Sequence, residues 1–313
     1  EEGKSESLPI VVTAQPKPGV DFGPKHGVCQ VAVGDNFQGH FFGQIADWCG
    51  TNLLSDKQIA GVTSRIKEKV DYLAERDCKL VYVIVPNPMR VYPETVPSRY
   101  VKSSESTSRT EQFEQCAQNA GATVVDLFDI LNAHRDDEFK IFNKMDSHWT
   151  DYGAYFGYYA LMEEISKEWK DTKPLEIDGN FEFYTKEVDA GDMMTHLELK
   201  NSLIQEVATF GKFLIPAVDK PDYYYNNRNE LDFNPVKNTK TVTNTLSNAD
   251  LPTAMVIRDS FGTNIYPYLN NAFSEVYYQS MWDYKFNKKY IEQTSPDYYI
   301  VLVAERNISN LLG

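Results

Sequence analysis

The chain has 313 residues, enough for one large α/β domain, with or without an insertion, and for a core that needs no metal or disulfide to hold it. With 45 acidic against 31 basic residues, a formal net charge of −14 and no basic cluster, it is unsuited to nucleic acid or an anionic membrane surface. It contains no run of about 18 apolar residues, so no segment reads as a membrane-spanning helix.

Residues 1–27 are polar and rich in Pro and Gly, an irregular lead-in. The opening EEGKSES lacks Met and is expected to follow a removed signal or anchor, which points to export. Residues 28–33 alternate like a short strand, and Gly34-Asp35-Asn36 supplies a turn. Ser55 and Gln58 have the spacing of a capping box, and Ile59, Val62, Ile66, Val70 and Leu73 continue an amphipathic helix to about Arg76. Residues 79–85 are an apolar, β-branched run ended by Pro86-Asn87-Pro88, the pattern of a strand buried on both faces. A helix over 107–120 with Gly121 as its stop, then a strand over 123–127, completes a βαβ unit, so the sheet is expected to be parallel. Thr150 can cap a long aromatic helix reaching about Trp169.

Residues 171–250 read as loop-rich, acidic and aromatic, an insertion on a domain that otherwise runs from 28 to 313. Its Tyr223-Tyr224-Tyr225 run either lines a glycan groove or packs the insertion. The α/β pattern resumes with a strand over 254–257, a turn over 258–262 and a helix over 263–269, in which Pro267 must sit near the first turn or shorten the helix. Strands over 276–279 and 298–303 close the pattern. Cys29, Cys49, Cys78 and Cys116 form no C-x-x-C pair, and are either two disulfides in one of three connectivities or free thiols.

Two short stretches carry chemistry. In Arg258-Asp259-Ser260-Phe261-Gly262 a Ser sits on the tight connection between a buried strand and a helix, where a hydroxyl can stand at the carboxyl edge of a parallel sheet beside helix N-terminal amides. The same string could equally be a helix cap. In Asp146-Ser147-His148-Trp149-Thr150 an Asp lies two residues before a His on a turn, able to hold the ring in one tautomer while the other nitrogen acts as a base. The plainer reading is a cap and a buried hydrogen-bonded pair. Each stretch stands just before an expected helix of one α/β domain, and that coincidence favours a joint role.

On these residues a family resemblance emerges. RDSF resembles the nucleophile block of the SGNH (GDSL-like) hydrolases, PDYYIVLVAERN their oxyanion-hole strand, and DSHWTDYGAY their Asp/His block, with the acid and base ahead of the nucleophile. That permuted order, with VPNPMRVYPETVP and the closing AER, resembles the AlgX/AlgJ-like, or DHHW, SGNH domains of polysaccharide O-acetyltransferases over roughly 28–170 and 250–310. The resemblance implies a three-layer α/β/α fold with a parallel sheet and circularly permuted motifs, interrupted by an insertion.

It also implies Ser260 as nucleophile, His148 as general base and Asp146 as its orienter. Tyr266, Asn264, Arg258 and Trp149 are the expected substrate or oxyanion contacts, beside the Ser260 amide. No metal or cofactor is expected. The implied partners are a polysaccharide acceptor and a membrane acyltransferase that supplies the acetyl group. A carbohydrate acetylesterase with the same triad and a non-catalytic glycan-binding protein are the alternatives.

This chain departs from the family pattern at Pro88, where a Lys is usual, at Arg258, where Gly is usual, and at Glu305-Arg306 followed by Asn307, where Gly and Asn are usual. Glu305 and Arg306 are expected to pair with each other. Thr195-His196-Leu197-Glu198 offers too few ligands for a metal, and Asp250, Asp259 and Asp283 are the carboxylates a glycosidase reading would use.

Overall fold

The computed structural model describes residues 31–33, 39–104, 107–169, 172–196, 200–218, 239–247, 250–283 and 285–312. A small antiparallel hairpin, β1 (Val31–Val33) and β2 (Gly39–Phe41), leads into helix α1 (Phe42–Trp48). The 34–36 turn, Cys29 and Tyr223 to Tyr225 lie outside the described residues.

Helix α2 (Asp56–Ala74) starts where the capping box predicts, with Ser55 N–H donating to Gln58 Oε1 at 2.9 Å. Strand β3 (Lys79–Val85) follows, then the short α3 (Pro88–Val91), α4 (Arg109–Asn119) and β4 (Thr123–Asp126). Helix α4 is capped by Ser108, which forms the reciprocal box with Glu111. Gly121 ends that helix region at φ +90°, a conformation that favours glycine. After α5 (Phe128–Ala133) comes the aromatic helix α6 (Asp151–Ser166), capped by Thr150, whose Oγ1 accepts the Gly153 N–H.

The stretch read as loop-rich is more ordered than its composition suggests. It contains a long antiparallel hairpin, β5 (Phe181–Asp189) and β6 (Gln205–Phe213), with α7 (Asp192–His196) between its strands, and then β7 (Thr239–Thr243). The hairpin lays Phe181 and Phe213 against Tyr268, with ring centroids 5.4 and 5.3 Å apart, and this buried end holds it to the main body. The charged outer residues of β5 are exposed, which masks the alternation in the sequence.

Strand β8 (Thr253–Arg258), helix α8 (Gly262–Ala272), strand β9 (Glu275–Ser280), helix α9 (Lys288–Thr294) and strand β10 (Tyr298–Ala304) complete the chain. Pro267 does not shorten α8. It sits in the second turn, where it forfeits one backbone bond, and the helix continues to Ala272.

The main sheet has the order β4-β3-β10-β8-β9-β7, parallel throughout except for β7, which pairs antiparallel with β9. Alternate residues of the central strands feed two cores. Val81, Val83, Val256 and Ile300 face α6 and α8, while Leu80, Tyr82, Ile257 and Val301 face α2, α4 and α9. These strands are therefore apolar along their whole length, and the architecture is the expected three-layer α/β/α sandwich. Strand β10, last in sequence, sits centrally, so the chain leaves β3 and β8 in opposite directions across the sheet. The crevice at their carboxyl ends is where such folds build sites.

Cys49, Cys78 and Cys116 are free thiols, which excludes the two-disulfide alternative. Burial pushes the Cys78 thiol up to about 12.

Candidate active site

Ser260 lies on the turn between β8 and α8, half-buried at the carboxyl edge of the sheet. The turn is fixed from beneath by Asp259, which is fully buried. Its Oδ1 accepts the Phe261 N–H at 2.9 Å, and its Oδ2 accepts Ala304 N–H at 2.8 Å and Asn307 Nδ2 at 2.7 Å. One carboxylate thus ties the Ser260 turn to the end of β10, and with its oxygens engaged it is not half of a glycosidase pair. Gly262 N–H is taken by the Asp259 carbonyl and Thr263 N–H by the Ser260 carbonyl, which leaves the Ser260 amide unspent by the turn.

Asp146 and His148 lie on the turn before α6. Asp146 Oδ1 accepts the His148 backbone N–H at 3.0 Å and its ring Nδ1 at 2.7 Å. That contact makes Nδ1 the protonated nitrogen, and Nε2 is buried with no hydrogen-bond partner. The His148 ring packs on Phe261 with centroids 5.2 Å apart, and Trp149 Nε1 donates to the Phe261 carbonyl at 3.0 Å. The turn of His148 is therefore in direct contact with the turn of Ser260. Nε2 and Ser260 Oγ are not hydrogen-bonded to each other here; such bonds often tighten only in the substrate complex.

Residues 49–281 match the family model for the SGNH hydrolase-like domain of the acetyltransferase AlgX. The chain belongs to this family. Membership gives the enzyme class, O-acetyltransferase, and the matched span includes the 171–250 segment. The fold is similar to that of a DHHW family protein from Eubacterium siraeum (15% identity, TM-score 0.58, covering 90% of this chain and 91% of that one). It is also similar to the O-acetyltransferase domain of Pseudomonas putida AlgJ (16%, 0.55, 89% and 91%) and to Bacillus cereus PatB1 (16%, 0.58, 80% and 90%). Among curated protein sequences none matches.

Where this AlgX-family chain departs from the usual motifs, the structure gives each replacement a separate task. Glu305 does not pair with Arg306: the two open a 3-10 turn over Glu305–Leu311, after β10, and their side chains take different partners. Glu305 is buried and accepts Asn87 N–H and Thr110 Oγ1, both at 2.8 Å, with Arg90 Nη1 at 3.5 Å. Burial pushes its carboxyl up while Arg90 opposes the rise. Arg306 has its guanidinium 4.8 Å over the Phe261 ring, donating to the Ser147 carbonyl at 3.2 Å.

The remaining expected contacts are distributed unevenly. Trp149 is completely buried, so it joins the two turns and presents nothing to a substrate. Asn264 Nδ2 donates to Asp151 Oδ1 at 2.7 Å, linking the starts of α6 and α8. The Tyr266 hydroxyl is engaged by Lys240 on the edge strand β7, with its ring 4.8 Å from that of Tyr278. Arg258 stays at the nucleophile turn, donating to the Asp259 carbonyl and to Thr263 Oγ1. Its stem lies across Gly262, where a Cβ would stand 2.3 Å from Arg258 Cδ; this close approach is the reason for glycine in the DSFG string.

Sequence reasoning missed the residues that the 171–250 segment sends to the site. Asp192 accepts Ser147 N–H at 2.7 Å and Ser147 Oγ at 2.6 Å, Glu206 Oε2 accepts Lys144 N–H at 2.8 Å, and Gly191 packs directly on Asp146. No local pattern announces them, since they meet the base only through the fold. Asp146, His148 and Asp192 place one ligand-capable atom each within 4.8 Å of one another. The 2.7 Å separation of His148 Nδ1 and Asp146 Oδ1 is that of a hydrogen bond.

Proposed function

We propose that this enzyme O-acetylates an extracellular or cell-wall polysaccharide through an acetyl-serine intermediate on Ser260. The observation that carries the reading is the state of His148: Nδ1 is bound to Asp146 at 2.7 Å, Nε2 has no hydrogen-bond partner, and the ring packs on Phe261, the residue after Ser260. His148 Nε2 takes the Ser260 proton as Oγ attacks the acetyl carbonyl of the donor, and the Ser260 N–H receives the developing oxyanion. The imidazolium returns its proton to the leaving group, and acetyl-serine remains. A sugar hydroxyl then passes its proton to His148 and attacks the ester, and Ser260 recovers its hydroxyl proton as the glycan ester departs. Asp146 holds the ring in the productive tautomer and stabilises the imidazolium.

The site is extracytoplasmic in this reading, and a membrane acyltransferase supplies the acetyl group. Among the described residues no helix is long and apolar enough to cross a membrane.

The test is an acetyl-donor ester incubated with the enzyme and a polysaccharide acceptor, with Ser260→Ala as control. A sulfonyl adduct is described for B. cereus PatB1, so a sulfonyl fluoride is the matching active-site probe. Acetylated glycan from the wild type and none from Ser260→Ala is the expected result. Free acetate with no glycan ester would make the enzyme an esterase, and an unlabelled, inactive wild type would sink the reading altogether.

A further inference from the structure

We propose that Asp192 is a positioning residue for the base, fixing the turn of His148 through Ser147 and adding a second negative charge beside the imidazole. The inference rests on the reading of Ser260 and His148 as nucleophile and base.

Ser147, between the two residues of the Asp/His pair, has its polar atoms engaged. Its N–H goes to Asp192 Oδ1 at 2.7 Å and its hydroxyl to Asp192 Oδ2 at 2.6 Å, while Arg306 donates to its carbonyl at 3.2 Å and to Oγ at 3.3 Å. The turn cannot swing without breaking several charge-assisted bonds. Asp192 Oδ2 also stands 4.0 Å from His148 Nδ1, with Ser147 Oγ at 3.4 Å from the same nitrogen. Two carboxylates therefore flank Nδ1, Asp146 in direct contact and Asp192 behind the hydroxyl.

The support for Asp192 is itself built. Met193 N–H donates to the Met145 carbonyl at 3.2 Å, and Met193 and Met194 are buried with Met145 and Ala190. Glu206 accepts the N–H groups of Lys144 and Met145. Residues of α7 and the start of β6 thus hold the 144–147 stretch of that turn.

The charged groups around His148 are Asp146 on its own turn, Asp192 on α7, Arg306 after β10, Arg258 and Asp259 on the nucleophile turn, and Glu206 behind Asp146. When His148 accepts the serine proton, the Asp192 charge favours the imidazolium that forms, whereas Arg306 opposes it and is held on Ser147.

The experiment measures the rate of sulfonyl fluoride labelling of Ser260 against pH, read by peptide mass spectrometry, in wild type, Asp192→Asn and Ser147→Ala, with thermal melts of each. Asp192→Asn should label about 5- to 20-fold more slowly, with the acid limb of the profile moved to lower pH, since the negative charge 4.0 Å from Nδ1 is gone. Ser147→Ala should label about 3- to 10-fold more slowly with the limb in place, because the charge remains and only the clamp is lost. Asp192→Asn with the wild-type rate and limb, or Ser147→Ala with the wild-type rate, overturns the proposal. If Asp192→Asn does not fold, Ser147→Ala decides alone. A wild type whose Ser260 is never labelled defeats the functional reading instead, so the two failures are distinct.

Discussion

Trp149 donates its indole N–H to the carbonyl of Phe261 at 3.0 Å, and through that bond the turn carrying His148 is held against the turn carrying Ser260. The indole is fully buried and lies on Gly157, where a Cβ would come within 2.7 Å of the ring. The registry of His148 and Ser260 is thus a packing property of the face where α6 meets the Ser260 turn.

Trp149→Phe puts a smaller ring in the indole site and removes the hydrogen bond to the Phe261 carbonyl, a loss of about 1–3 kcal/mol from packing and hydrogen bonding together. Denaturant unfolding should show that destabilisation, and labelling of Ser260 should slow in the same variant. Gly157→Ala should be worse, because a close-packed indole has nowhere to move.

Gly191→Ala tests the packing on Asp146. The new Cβ would stand 2.2 Å from Asp146 Oδ2 and 2.3 Å from its Cβ, so the carboxylate must leave its position against His148. The expected result is a fall in kcat of about 10- to 100-fold with KM little changed, the penalty of a misplaced orienter. Gly61→Ala on α2, whose added methyl meets only the Arg65 side chain, should keep full activity in the same assay.

How much of this was legible in the sequence depended on chain distance. Asp146 and His148 are two residues apart on one turn, and Ser260 is bracketed by a buried strand and a helix, so both halves of the site could be read locally. Asp192, Gly191 and Glu206 reach His148 only because a hairpin of two 9-residue strands folds back across α6, a relationship that no periodicity encodes. Adjacency misled at Glu305 and Arg306: neighbours in sequence, they serve different partners. Trp149 was expected as a substrate or oxyanion contact, yet its indole lies fully buried in the core.

Stability should depend on pH through Glu114. Burial first, then the neighbouring charge of Asp126, pushes its carboxyl up to about 8, and Oε1 has no hydrogen-bond partner. Because the folded state holds the proton more tightly than the unfolded chain, the contribution of Glu114 is fully favourable below about 4.5 and is lost as pH rises towards about 8. Glu114→Gln, which resembles the protonated form, should therefore be the more stable protein at pH 8 by about 1–2 kcal/mol and match the wild type near pH 4. Parallel melts at the two pH values check this; a variant less stable at pH 8 would contradict it.

The most direct measurement is mass spectrometry of the Ser260 peptide after brief exposure to an acetyl donor without acceptor, followed by addition of the polysaccharide. An acetyl group should appear on Ser260 in the wild type, pass to the glycan when it is added, and be absent from Ser260→Ala and His148→Ala. Glycan acetylation that proceeds undiminished in Ser260→Ala would contradict the account.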